Sequence, residues 1–145
     1  MSDRVSQTVL LCEDEVHERL VKAYLKQCGR DFRPPYVKSR VASQMQKGGN
    51  DVWVLNHVAE EVQACRQRHK RTRTLLIVVI DADKLTVEKR RSQLASRLQQ
   101  AGQADVGAAD PVIVLIPKRN CEGAVPGPTC VPSLRFALSE WARIH

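Results

Sequence analysis

Long hydrophobic runs are missing from this chain. The longest uninterrupted apolar stretch, Leu75 to Ile80, falls far short of the roughly 20 residues that span a bilayer. The opening MSDRVSQ lacks the apolar stretch of a signal peptide. A soluble, cytoplasmic protein with no membrane partner is therefore expected. Paired cysteine motifs are missing as well. Cys12, Cys28, Cys65, Cys121 and Cys130 are odd in number, scattered and without a CxxC pair, which argues against a zinc site and a secreted disulfide framework. Cys12 and Cys28 fall at apolar-pattern positions and read as small core residues. There is no Gly-x-Gly-x-x-Gly and no P-loop, so a nucleotide-driven motor is unsupported. No Ser or Cys nucleophile elbow appears.

What is present suits one globular domain over residues 1–145, with 43% apolar and 27% charged residues. Lys and Arg number 23 against 16 Asp and Glu, giving a formal charge of +7. The isoelectric point is about 9.5. A basic excess of this size favours polyanionic partners, nucleic acid first; solubility alone is the bland alternative.

Thr8 to Cys12 is a short apolar run that reads as a buried strand. Val16, Leu20, Val21, Tyr24, Leu25 and Cys28 then follow at helical spacing, and Gly29 is a natural stop. Arg33 to Val41 is ambiguous: Tyr36 and Val37 suit a short strand, but two prolines push the segment toward an edge or a loop. After the turn at Lys47-Gly48-Gly49, Asn50 or Asp51 caps a helix running to about His69, with Val54, Leu55, Val58, Val62 and Cys65 on its apolar face. The basic residues from Arg66 to Arg73 suit the helix dipole at its end. Leu75 to Ile80, apolar without alternation, reads as a central strand covered on both faces. A helix over about Val87 to Ala101, a strand over Val112 to Ile116 and a closing helix over Leu134 to Ile144 complete the pattern. Strands alternating with helices imply an α/β three-layer sandwich with a mainly parallel sheet of about four strands and helices on both faces.

In such sheets ligands sit beyond the carboxyl ends of the strands. Glu13 and Asp14 follow the first strand, and Asp81 and Asp83 follow the central one. Acids gathered at one sheet edge repel unless a cation offsets them. Asp81 and Asp83 are two apart on an extended segment and so leave the same side. That spacing suits two oxygen ligands on Mg²⁺, or on Mn²⁺. Glu13 joins them as a metal ligand or as a general acid or base. Asp14 reads more simply as a first-turn acid. His17, one helical turn past Glu13, reads as an ordinary surface histidine.

Two known layouts resemble this one. VLLCEDEVHERLVKAYLKQCG resembles the opening of a response-regulator receiver, but only over residues 8 to 29. Asp81 comes too late after Asp14 for the compact receiver pattern, and Pro117-Lys118 reverses the receiver's Lys-Pro. The Toprim domain of topoisomerases, DnaG-type primases and OLD-family nucleases has a Glu after its first strand and an Asp-x-Asp after its third. This sequence supplies Glu13 and Asp81-Ala82-Asp83 in that order. GGNDVWVL, TLLIVVIDADKLTVEKRRSQL, VIVLIPKRNCEG and VPSLRFALSEWARI are similar to successive segments of small stand-alone Toprim-like proteins of bacteria. One departure is that Gly123-Ala124 and a short Pro-rich loop follow Glu122, where those relatives carry Thr-Trp and a longer insertion.

The Toprim resemblance implies Mg²⁺-dependent phosphodiester chemistry on DNA or RNA, with Asp81 and Asp83 as metal ligands. Glu13 would be the acid–base group or share the metal, and Asp14 and Glu122 are additional acids of the constellation. Lys47, Lys84, Lys118 and Arg119 are the basic residues expected to meet the nucleic acid; Lys89, Arg90 and Arg91 are expected to face solvent. A nuclease, with a protein partner in a multi-component system such as a phage-defence locus, is the expected function. The alternatives are a receiver phosphorylated at Asp81 and a non-catalytic nucleic-acid-binding or assembly module.

Overall fold

The computed structural model describes residues 7–27, 37–82, 85–107 and 110–116. In chain order these form β1 (Gln7–Cys12), α1 (Glu15–Gln27), β2 (Val37–Val41), α2 (Ala42–Met45), α3 (Asn50–His69), β3 (Thr74–Val79), α4 (Val87–Gln100) and β4 (Val112–Leu115). The four strands make one parallel sheet in the order β2-β1-β3-β4. The fold is thus α/β, and the sheet is entirely parallel among the described residues. The closing helix expected over Leu134 to Ile144 lies outside them.

The strand order fixes the layers. From β1 the chain steps one way to β2, then crosses back over β1 to reach β3. Two right-handed crossovers in opposite directions put their helices on opposite faces. Accordingly α1 packs on β1 and β2, whereas α3 packs on β3, β1 and α4. Alternate residues of the inner strands serve the α3 face: Val9 and Leu11 from β1, Leu76 and Val78 from β3. They meet Val54, Val58, Val62 and Cys65 of α3 and Leu94 and Leu98 of α4. All six residues of β3 are buried, as a strand apolar on both sides requires.

The described part of the ambiguous segment is a strand, outermost in the sheet among the described residues. Val37–Val41 pairs with β1 from Thr8↔Val37 to Cys12↔Val41. The four-residue α2 follows without a break and is not foreshadowed by any apolar pattern. Neither Asn50 nor Asp51 caps α3. The cap is Gly49, at φ 59°, after Gly48 at φ 70°. Two consecutive left-handed residues suit glycine, which carries no Cβ to clash there. The Gln46 amide ties the turn by donating to the carbonyls of both glycines, at 2.9 and 3.0 Å.

On α1 the first member of the expected stripe is displaced, while Val21 is buried as expected. Val16 is 65% exposed, and His17 takes the inward place at 5%. Helical spacing accounts for this, because His17 lies three and four residues before Leu20 and Val21. On α4, Lys89 and Arg91 are exposed as expected, but Arg90 is buried at 4%. It continues the stripe of Leu94 and Leu98 one turn toward the helix start.

Candidate functional site at the carboxyl edge of the sheet

β1 and β3 are adjacent, and the chain leaves them in opposite directions. Their carboxyl ends therefore frame the switch point of the sheet, where open α/β folds bind ligands. Register Cys12↔Val79 brings the residues after each strand level with one another. Glu13 leans across this gap, and its Oε1 accepts the main-chain N–H of Asp81 at 2.5 Å. The two acids picked out in the sequence are thus brought together. Leu85 N–H donates to Ala82 O at 2.8 Å, turning the chain toward α4. Thr86 caps that helix by accepting from Lys89 N–H at 3.1 Å.

Asp14 accepts the N–H of His17 at 3.0 Å and so caps α1, in the role of a first-turn acid. His17 projects into the site from the same turn. Its Nε2 lies 3.7 Å from Asp81 Oδ2, and its Nδ1 lies 3.9 Å from Asp14 Oδ1. Asp81 is itself 14% exposed at its side chain.

Arg90 enters from α4. Its Nε donates to Asp81 O at 2.7 Å, Nη1 to Gln93 Oε1 at 2.8 Å and Nη2 to Asp51 Oδ2 at 3.1 Å. One guanidinium therefore joins the end of β3 to the first turn of α3. Burial pushes the Glu13 carboxyl up to about 7. The Asp81 N–H and the Arg90 charge pull the other way, while Asp51 and Asp14 reinforce the rise. The environment holds a proton on Glu13 far longer than on an ordinary glutamate.

Lys47 is exposed in the turn after α2. That turn belongs to the same edge, since Ser43 N–H donates to Glu13 O at 3.0 Å and the Gln44 side chain donates to Glu15 Oε1 at 3.3 Å. Asp83, Lys84, Lys118, Arg119 and Glu122 lie outside the described residues. Sequence reasoning missed Arg90, His17 and Asp51 as site residues. The signal for the first two was their spacing from buried leucines and valines on their own helices. Asp51 offered no signal, because its partner lies on another helix.

Among the described residues no group of three or more His, Cys, Asp or Glu stands close enough together to hold a metal ion. Glu13 and Asp81 are carboxylates, the donor type that a hard cation takes. Glu13 lies within electrostatic reach of Arg90, Asp51 and Asp14, and Arg90 pairs with Asp51. Glu13 and Asp81 are two of the three carboxylates expected as ligands, and the third, Asp83, lies outside the described residues.

Comparison with protein-family models, with curated proteins and with solved structures finds no match to this chain. No helix among the described residues is long and apolar enough to cross a membrane.

Proposed function

We propose that this chain is a Toprim-type, Mg²⁺-dependent nuclease acting at the carboxyl edge of its sheet. The observation that carries the reading is the meeting of Glu13 and Asp81 at the switch point, in a parallel sheet. Glu13 and Asp81, with Asp83, would hold the cation, which when bound offsets charge on a phosphodiester and stabilises the charge that builds during its cleavage. The protein's own groups do the rest. Glu13 holds or accepts a proton beside the scissile group. Arg90 fixes the main chain at Asp81, from which the carboxylate projects. Lys47, Lys84, Lys118 and Arg119 draw in the phosphate backbone. A protein partner in a defence system belongs to this same proposal.

A receiver is the second reading, and the strand order favours it. Order 2-1-3-4 is that of flavodoxin-like sheets, to which receivers belong. Asp81 follows the third strand, where a receiver carries its phosphoacceptor. The added α2 and the 20-residue α3 account for the long interval from Asp14.

The deciding experiment measures Mg²⁺- or Mn²⁺-dependent cleavage of mixed DNA and RNA by the wild type, by Glu13→Ala and by Asp81→Ala/Asp83→Ala. Cleavage lost in both folded variants supports the nuclease. Labelling by acetyl phosphate that vanishes in Asp81→Asn, without cleavage, replaces it with the receiver.

A further inference from the structure

The densest charge in the chain plays no part in the site just described. Residues 66–73, RQRHKRTR, carry five Lys or Arg and no acid. Those five are part of a total of 23, and the remaining 18 nearly balance the chain's 16 Asp and Glu. The basic excess that pointed to a polyanion is therefore largely the property of one octapeptide.

That octapeptide sits at the opposite end of the sheet from Glu13 and Asp81. It forms the last turn of α3 and the link into β3, and Gln7 at the start of β1 donates its N–H to Arg73 O at 3.4 Å. The six residues of β3 separate the two ends by about 20 Å at the rise of a parallel strand. The segment is held in place. Arg66 makes a two-pronged contact with Asp110, Nε to Oδ1 at 3.0 Å and Nη2 to Oδ2 at 2.8 Å, and its other donors reach Gln103 Oε1 and Asp105 O. The turn itself is closed by Arg71 N–H and Thr72 N–H, both donating to Arg68 O, at 3.0 and 2.9 Å.

Arg66 is thus the anchor, and its neighbours carry the exposed charge. Among the described residues no carboxylate pairs with Arg68, Lys70 or Arg71. Lys70 and Arg71 are exposed. Arg68 is half-buried beside them, its Nε and Nη2 without a hydrogen-bond partner. Asp110, the acid that meets this segment, is engaged by Arg66.

We propose that this amino-edge surface, built on Arg68, Lys70 and Arg71, binds the phosphate backbone of nucleic acid. Its composition decides between classes of partner. The buried centre of a stable protein interface is apolar and poor in charge, and RQRHKRTR contains no apolar side chain. A run of fixed cations instead matches a regularly charged polyanion, and Arg suits phosphate through its planar fork. Binding here is independent of cleavage: it holds whether or not the carboxyl edge is a nuclease centre.

The test is fluorescence anisotropy of fluorescein-labelled single- and double-stranded DNA and RNA across a salt series. Wild type is compared with Lys70→Gln/Arg71→Gln and with Lys89→Gln/Arg91→Gln, which removes equal charge from exposed positions of α4. Circular dichroism checks each fold. The expected result is about tenfold weaker binding by Lys70→Gln/Arg71→Gln, with a log affinity against log salt slope shallower by about two. The α4 variant should bind as wild type does. The surface assignment is overturned if wild type does not bind, if the 70/71 variant binds normally, or if the α4 variant is weakened equally. It is also overturned if polyglutamate displaces the labelled strand as well as unlabelled nucleic acid does. Cleavage is read separately, so failure of the nuclease reading leaves this result intact.

Discussion

Arg90 grips Asp81 by its main chain, Nε to carbonyl oxygen at 2.7 Å, while the Asp81 N–H is held by Glu13. Both polar groups of one peptide-bonded residue are thus fixed by side chains from different elements. The residue that presents the central carboxylate has little freedom to turn.

Arg90→Ala should therefore lower stability by about 2–3 kcal/mol, because it removes a buried side chain and strips partners from Asp51 and Asp81. Arg90→Lys should recover only part of this, since an ammonium cannot span three directions as a guanidinium does. Urea denaturation of the two variants measures both. A loss in Arg90→Ala no larger than that of Arg91→Ala would show that the burial of Arg90 carries no energetic weight.

The raised Glu13 carboxyl has a pH signature. In the unfolded chain Glu13 ionises near its ordinary value of 4.5, and in the folded chain near 7. Between those values the folded state binds more protons, so stability falls as pH rises through the window. Glu13→Gln keeps an acceptor for the Asp81 N–H but does not ionise. Its urea midpoint should gain on that of wild type between pH 5 and pH 8. A variant that loses ground over that interval would mean that the carboxylate is stabilised by the fold, contrary to its burial.

Cys12 and Cys65 are free thiols buried at 0% and 1% exposure. Burial, aided by Glu18, Asp14 and Glu13, pushes the Cys12 thiol up to about 12, and burial also raises Cys65. At pH 8 neither forms appreciable thiolate. Alkylation by iodoacetamide in the folded protein should leave both unmodified by peptide mass mapping, and denaturant should expose both together. Rapid labelling of Cys12 under native conditions would show that the carboxyl end of β1 opens.

The sheet was legible because its inner strands are chemically extreme. Leu75 to Ile80 admits little other than a doubly covered strand, and α3 showed its buried face in Val54, Val58, Val62 and Cys65. The Glu13–Asp81 meeting followed from knowing that both lie at carboxyl ends of strands. Val37–Val41 was harder, since a strand carrying Lys38, Ser39 and Arg40 has no apolar run to mark it. Its Arg40 instead pairs with Glu61 and lies over the Trp53 ring at 5.4 Å, contacts made by residues far along the chain. Arg90 and His17 were misread because residue type was allowed to outweigh helical position. A charged or titratable side chain in a buried stripe is the sign of a partner, and for these two the partners are Asp51 and Asp81.

The order of the strands also bears on how the chain is made. β1 is an inner strand, yet its second neighbour, β3, is separated from it by α1, β2, α2 and α3. On the ribosome β1 therefore waits, one edge unpaired, until the residues through β3 have been synthesised. Such distant parallel pairing is slow to close and leaves an apolar ribbon open to wrong partners meanwhile.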